Sequence, residues 1–265
     1  MDLLKKYGKT ALIAGASEGL GEAFAKYMAA GGHDLVLVAR RADPLRELAL
    51  SLENSYKIKT LCIPCDLRDE NADQIIAGAL EGREVSILVY NAASSFIGKF
   101  IADPVSDHVQ AAQVNMITPV KLVHHFGALM LEKGRGAVIL MSSMAGLQGS
   151  GYLALYAASK AFLRVLAESL WYEWKDSGTD ILACVAGATS TTNYIKTKPE
   201  KIGPFSPAVL TPEEVVNECF RNLGRKPSFI TGRGNRLASL LMHRLLPRRI
   251  AINIMGATTR RMYRL

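Results

Sequence analysis

The sequence predicts an α/β fold, a doubly wound parallel sheet of about seven strands folded as one domain. Three observations carry that expectation. Short runs rich in Val, Ile and Leu alternate with longer segments of helical pattern. The runs are apolar throughout rather than every second residue, as strands covered on both faces are. A glycine-rich turn, Gly15 to Gly21, joins the first run directly to the first helical segment.

The elements follow in order. Thr10–Ala14 is the first strand, and Gly21–Ala30 the helix after it, stopping at Gly31-Gly32 as helices stop at C-terminal glycines. Asp34–Ala39, Ile58–Pro64 and Val85–Tyr90 are the next strands, separated by stretches long enough for crossover helices. Pro104–Lys133 is long, mostly apolar and ends at Gly134, and reads as a helix. Ala137–Met141 is the fifth strand, Leu153–Asp176 a helix closed by Gly178, and Asp180–Val185 the sixth strand. Residues 187–210 hold Gly, Pro, Thr and Lys and are expected as a structureless lid. Thr211-Pro212-Glu213-Glu214 is a capping box that opens a helix before the last strand, Ser228–Thr231. Residues 1–232 are expected as one domain and 233–265 as a basic, amphipathic helical extension.

Composition narrows the class. The chain has 265 residues, 49% apolar and 21% charged, which excludes collagen, a disulfide-stapled scaffold and a mainly disordered chain. No uncharged apolar run reaches the length of a spanning helix, and no apolar core follows the N-terminal lysines as in a secretory signal. The net charge of +8 is unevenly spread: Arg221 to Leu265 hold eleven Lys/Arg and no Asp/Glu, leaving 21 basic against 24 acidic side chains before them. Cys62-Ile-Pro-Cys65 matches C-x-x-C, but it lies in a strand-like run without ligand-spaced histidines, so Cys62, Cys65, Cys184 and Cys219 read as reduced structural thiols and no metal is expected. The expected location is cytoplasmic.

The turn Gly15-Ala16-Ser17-Glu18-Gly19-Leu20-Gly21 has the pattern G-x-x-x-G-x-G between a strand and a helix. Glycines there admit a tight turn and close approach of a pyrophosphate, and the helix N-terminus adds N–H donors and positive dipole, a Rossmann-type site. The same residues also read as G-x-S-x-G, a hydrolase nucleophile elbow at Ser17, with Asp180 and His243 as formal partners. The elbow normally follows a mid-sheet strand, and this one follows the first. The second strand ends in Arg40-Arg41, with Asp43 beyond. An arginine there suits a ribose 2′-phosphate where an acidic residue would suit a free hydroxyl, so Arg40 points to NADP(H) over NAD(H).

Tyr156 and Lys160 lie four apart in a helical segment and share a face. An ammonium beside a phenol stabilises the phenolate and tunes the tyrosine as a proton donor or acceptor. Upstream, Met141-Ser142-Ser143 ends a strand and leads into a Gly/Ser-rich stretch from Ala145 to Gly151.

At this point the chain resembles the short-chain dehydrogenase/reductase family, in particular its NADP-dependent hydroxysteroid dehydrogenases and ketoacyl reductases. The resemblance runs from about residue 8 to 232 and rests on the glycine turn, Cys65-Asp66-Leu67, Asn91-Ala92-Ala93, Val114-Asn115, Ser143, and Tyr156 with Lys160, in order and at the usual spacing. It implies that Tyr156 is the general acid/base, that Ser143 hydrogen-bonds the reacting oxygen, and that Lys160 lowers the Tyr156 pKa and holds the nicotinamide ribose. It implies that Asn115 holds a water linking Lys160 to solvent. The cofactor would meet Gly15, Ser17, Glu18, Gly19, Leu20 and Gly21, then Asp66 and Leu67 at the adenine and Asn91 near its ribose. Ala186-Gly187-Ala188-Thr189-Ser190-Thr191 resembles the family's P-G-x-V-x-T, which would set Thr189 and Thr191 by the nicotinamide carboxamide. Ala14, Tyr90, Ala93, Ala186 and Thr189 depart from the pattern.

Substrate contacts are expected from Phe96–Ile101, Leu147–Leu155 and the lid. Leu147, Tyr152, Leu153, Leu155, Tyr194 and Phe205 make them mostly apolar, which favours a lipophilic ketone or secondary alcohol, steroid-like or long-chain ketoacyl; Lys196, Lys198 and Lys201 instead suit an anionic substrate. In the tail, Leu237, Leu240, Leu241 and Leu245 form a helical stripe beside Arg236, Arg244, Arg248 and Arg249, with a break expected at Pro247. Such a segment suits peripheral contact with an anionic membrane, or a cover for the substrate cleft or a subunit partner. No nucleic-acid motif is present. The family resemblance implies a homodimer or homotetramer through the Pro104–Lys133 and Leu153–Asp176 helices. The reading is an NADP(H)-dependent oxidoreductase moving a hydride to or from a small-molecule carbonyl or alcohol; the alternative is a non-catalytic nucleotide-binding regulatory or scaffold protein.

Overall fold

Seven parallel strands form one sheet in the order β3-β2-β1-β4-β5-β6-β7. They are β1 Thr10–Ala14, β2 Asp34–Ala39, β3 Thr60–Pro64, β4 Ile87–Tyr90, β5 Gly136–Ser143, β6 Thr179–Ala186 and β7 Ser228–Ile230. The computed structural model describes residues 2–197 and 209–265; Lys198, Lys201 and Phe205 of the expected lid lie outside the described residues, as does the side chain of His243.

The sheet is sandwiched because its strands bury both faces. Successive residues of β1 alternate between two cores, with Ala11 and Ile13 in one and Leu12 and Ala14 in the other. The helices α1 (Leu3–Tyr7), α2 (Gly19–Ala30), α3 (Ala42–Tyr56) and α9 (Pro212–Asn222) supply buried partners for the first core. α4 (Ala72–Ala79), α6 (Thr118–Glu132) and α7 (Ala154–Glu173) supply the second. The same alternation separates the C-x-x-C cysteines: Cys62 packs against the first core and Cys65 lies in the second. Burial pushes the Cys62 thiol up and the Cys65 thiol to about 11, so neither is a ready thiolate.

Strand order reverses direction between β1 and β4, and Ala14 sits in register with Val38 on one side and Tyr90 on the other. At such a switch point the loops leaving neighbouring strands diverge and open a crevice beyond the carboxyl ends. The glycine turn after β1 and Asn91 after β4, both expected to meet the cofactor, leave the sheet at this edge.

Three expectations change. The Pro104–Lys133 segment is not one helix: α5 (Val105–Ala112) passes through a π turn, Gln113–Ile117, before α6. Pro119 has no N–H to offer the Asn115 carbonyl four residues back, and Thr118 N–H reaches Gln113 O, five back. Residues 187–210 are not structureless, since Thr191 caps a short helix α8 (Thr192–Lys196) through its side chain. The hydrolase reading fails on placement: Asp180 lies at the entry end of β6, bonded by Tyr7 Oη at 2.7 Å and Lys6 Nζ at 2.6 Å, whereas Ser17 lies beyond the exit end of the parallel β1.

The chain ends in α10 (Arg233–Arg244) and α11 (Arg248–Met262), separated at Pro247, which caps α11. α11 crosses the segment between Ser143 and Tyr156: a Cβ on Gly149 would stand 3.6 Å from Ile252, and one on Gly151 would stand 3.3 Å from the Cα of Gly256.

Candidate active site

The glycine turn is held by Gly15 N–H and Ala16 N–H, both donating to Val38 O at 2.8 and 3.1 Å. Gly15 has φ +83°, and a Cβ on Gly21 would lie 1.9 Å from Gly15 O, so α2 meets the turn too closely for any side chain. Gly19, at φ +61°, would carry its Cβ 3.1 Å from Thr191. Asn91 Nδ2 donates to Gly15 O at 3.0 Å and braces the turn from β4.

A cleft of ≈ 610 Å³ runs from this turn along the strand ends. Gly15, Ser17, Glu18, Gly19 and Leu20 form one wall; Arg40, Arg41, Asp66, Leu67 and Arg68 lie at one end; Asn91, Tyr156 and Thr191 also line it. A glycine-rich cradle before a helix N-terminus, continuing to paired arginines, fits the phosphates of a dinucleotide. Thr189 does not line this cleft; it is buried, with its hydroxyl donating to Gly187 O at 3.1 Å.

The arginines divide the work. Arg40 is close enough to Asp66 to help hold its carboxyl below the ordinary range, although the larger cause is Arg68, which grips Asp66 through Nε and Nη2 at 2.9 and 2.5 Å. Arg41 pairs with Glu18 across the turn at 3.4 Å. Neither Arg41 nor Arg68 is among the site residues expected from the sequence, although each adjoins one that is.

Asn115 is fully buried in the π turn. Its Nδ2 donates to Ser94 O at 2.7 Å and Ser159 Oγ at 3.2 Å, and its Oδ1 accepts from Ser94 N–H at 2.8 Å. Tyr90, a departure from the family pattern, is buried in β4 and donates to Val114 O, pinning the backbone just before Asn115.

Ser143, at the end of β5, accepts from Ala145 N–H at 3.2 Å and lies close enough to the Tyr156 phenol to act on its pKa. Tyr156 and Lys160 lie one turn apart on α7, with the Lys160 ammonium 5.6 Å from the Tyr156 ring centre. Lys160 is 3% exposed, and its Nζ donates to Met141 O at 2.7 Å. Burial lowers its pKa to about 8. Burial also raises the Tyr156 phenol above its ordinary value, and this outweighs the opposing effect of Ser143; Tyr263, just beyond α11, adds a further upward push. The direction is opposite to the lowered value expected from the lysine alone. Tyr263 also raises Tyr194 of α8, so the chain end reaches the Tyr156 side of the cleft. No local signal could have announced a contact with so distant a residue.

Phe96, expected on the substrate side, lines the cleft, while Phe100 and Ile101 of the same loop are exposed. Gly98 N–H donates to Tyr152 O at 3.0 Å and joins this loop to the Leu147–Leu155 stretch.

A dinucleotide cradle at the switch point and a Tyr–Lys pair beside a strand-end serine define an oxidoreductase that acts on CH–OH or C=O groups with a nicotinamide cofactor. A family model described as short chain dehydrogenase matches residues 9–202, and the chain belongs to that family. A 7beta-hydroxysteroid dehydrogenase of Collinsella aerofaciens is 35% identical over 240 residues, covering 89% of this chain and 90% of its own. A solved structure of a 7beta-hydroxysteroid dehydrogenase superposes with a TM-score of 0.89 at 32% identity, covering 96% of this chain and 99% of the other. A short-chain dehydrogenase from Sphingobium yanoikuyae in complex with NADPH superposes with a TM-score of 0.77 at 25% identity, covering 88% and 92%.

Proposed function

We propose that this oxidoreductase prefers NADP(H) and reduces or oxidises a lipophilic, steroid-like or long-chain ketoacyl, substrate. The observation that carries the reading is the grouping of Ser143 and Lys160 about Tyr156, which lines a cleft that Arg40 and Arg41 also line. The nicotinamide, when bound, supplies or takes up the hydride. Tyr156 holds the proton that the substrate oxygen gains in reduction, and its raised pKa keeps that proton in place at neutral pH. Ser143 orients the same oxygen. Lys160, charged below about pH 8, steadies the phenolate that Tyr156 becomes, and it would hold the nicotinamide ribose when the cofactor is bound. Asn115, locked by Ser94 and Ser159, fixes the π turn behind Lys160, from which a water would link the lysine to solvent.

Arg40 would receive the 2′-phosphate, with Arg41 beside it; Asp66 and Leu67 would meet the adenine, and Thr191 the carboxamide side. Support for NADP(H) comes from the two arginines and from the NADPH complex of the Sphingobium relative. Support for a lipophilic substrate comes from the cover formed by α11, with Ile252 against Gly149, and from the hydroxysteroid relatives. Exposed Val109, Ile117, Val120, Val165 and Tyr172 on α5 to α7 and the π turn between them favour assembly into a homodimer or homotetramer through these helices. Among the described residues no helix is long and apolar enough to cross a membrane. The exposed Leu237, Leu240, Leu241 and Leu245 of α10 and the loop after it are where a peripheral membrane contact would fall.

The test is thermal unfolding with NADPH, NADH or neither, followed by NADPH oxidation with a panel of ketosteroids and 3-ketoacyl thioesters. The reading expects a larger shift with NADPH and turnover of at least one panel member. Equal shifts remove the NADP(H) preference, and no turnover across the panel removes the substrate class.

A further inference from the structure

The two C-terminal helices carry an apolar stripe that stays in water. Leu237, Leu240 and Leu241 of α10 and Leu245 just after it fall at the spacing of a buried helix face, yet Leu237 is 58% exposed and Leu245 70%. Ile250 and Ile254, one turn apart on α11, are exposed as well. The corner between the helices is ordered: Leu245 N–H donates to Leu241 O at 3.1 Å and Ile250 N–H to Pro247 O at 2.9 Å. A run of exposed aliphatic side chains of this extent marks a contact surface. The charge beside it is of one sign. Residues 233–265 hold eight arginines and no Asp or Glu. Arg236 is paired with Glu218 at 2.9 Å. Arg244, Arg248 and Arg249, all exposed around the corner, have no ion pair among the described residues. Arg248 and Arg249 occupy the first turn of α11, where the positive end of the helix dipole makes a cation unfavourable, and no acidic side chain stands there to offset them. An anion from outside the chain would.

We propose that the corner of α10 and α11 docks on an anionic lipid surface, with Leu241, Leu245 and Ile250 entering the apolar boundary and Arg244, Arg248 and Arg249 meeting lipid phosphates. The occupant has to answer both halves of the feature. Phosphates of a nucleic acid would take up the arginines and leave the leucines in water. A second copy of the chain, meeting this face with its own, would cover the leucines but set two arginine clusters opposite each other with no carboxylate of either segment between them. A lipid surface meets the aliphatic side chains and the charge together. The docking itself is independent of the reaction, but its use rests on the proposed function. Ile252 of α11 lies against Gly149, in the segment between Ser143 and Tyr156, so the docked face adjoins the substrate side of the cleft. A lipophilic substrate dissolved in the leaflet then reaches the site without crossing bulk water.

The experiment is flotation of the full chain, without substrate, on vesicles of phosphatidylcholine alone or mixed with phosphatidylglycerol. The wild type is expected on the mixed vesicles only, and to leave them at high salt. Arg248→Gln with Arg249→Gln should weaken that partition by about thirty-fold, the worth of two basic side chains at an anionic surface. Leu241→Gln with Leu245→Gln should abolish it. Both pairs replace exposed side chains, so Tm, and NADPH oxidation with a water-soluble ketone in the absence of vesicles, should stay as in the wild type. With a ketosteroid carried in the mixed vesicles, KM should be lower for the wild type than for either variant, at unchanged kcat. Equal partition on both kinds of vesicle, partition indifferent to both variants, or no flotation at all overturns the proposal. So does a wild type that does not float but shrinks to a smaller assembly in gel filtration on Leu241→Gln with Leu245→Gln, which would make the stripe an interface between copies. Flotation as expected without turnover of the ketosteroid would count against the proposed function and leave the docking supported. Turnover in solution without flotation would do the reverse.

Discussion

The ammonium of Lys160 stands 5.6 Å from the centre of the Tyr156 ring and is tied to the Met141 carbonyl at 2.7 Å. The bond fixes the charge at the floor of the site, and burial brings the lysine's titration down to about 8. Tyr156 moves the other way and stays protonated through this range. Carbonyl reduction needs the tyrosine proton and benefits from the lysine charge. With NADPH and a ketone at saturation, kcat should therefore hold level through neutral pH and fall above about pH 8 as Lys160 loses its proton. Lys160→Arg, charged throughout, should shift that fall to higher pH. A profile level to pH 10 would remove the lysine from the proton chemistry.

The same burial has a price in stability that can be read separately. The Lys160 pKa is about 8 in the fold against 10.5 for the ordinary group. Below pH 8 both forms are protonated, and the folded state bears the full desolvation cost, on the order of 3 kcal/mol. Between about 8 and 10.5 the unfolded chain binds the proton and the fold does not, so this contribution makes stability rise with pH. Lys160→Met should raise Tm at pH 7 by roughly 4–8 °C after allowing for the lost bond to Met141 O. The difference from wild type should shrink steadily toward pH 10. Melting curves at three pH values check it, and an advantage that does not depend on pH would contradict the assignment.

Tyr156→Phe separates chemistry from binding. The variant keeps the ring beside Lys160 and loses the phenol hydroxyl near Ser143. Its kcat should fall by about 10²–10⁴-fold, the usual worth of a positioned proton donor, with the NADPH-induced shift in Tm unchanged. Turnover that survives the substitution would mean another group supplies the proton.

Much of this arrangement was legible in the sequence, for reasons that differ by residue. The strands were legible because both faces are buried, which leaves unbroken apolar runs; β1 and β2 have the expected bounds. The glycine turn was legible because each glycine answers a positive φ, as at Gly15 and Gly19, or a close backbone approach, as between Gly21 and Gly15. Strand ends were not fixed in the same way, and Ile58 and Val85 lie outside β3 and β4 despite apolar character. The π turn was missed because Pro119 lies inside an otherwise continuous apolar pattern, and hydrophobic periodicity does not report a single missing N–H. The reach of α11 over Gly149 and of Tyr263 toward Tyr156 is a tertiary effect. An amphipathic stripe says that a face is buried or covered, not by what.

The two arginines are equivalent neighbours in sequence and differ in the structure. Arg41 is paired with Glu18 at 3.4 Å, so a 2′-phosphate must share it with a carboxylate already in place. Arg40 has no such direct ion pair among the described residues; the acidic group it influences is Asp66, whose bonds go to Arg68. Arg40 is thus the freer of the two to meet a phosphate. Arg40→Ala should weaken NADPH binding by about one to two decades, the worth of a charge-assisted phosphate contact, and leave NADH within about two-fold. Arg41→Ala should cost NADPH less, because removing it also frees the phosphate from competition with the Glu18 pair. Calorimetric titration of both nucleotides into each variant decides it. A larger loss for Arg41→Ala would reverse the order argued from the ion pair, and equal losses for NADPH and NADH in both variants would mean that neither arginine reads the phosphate.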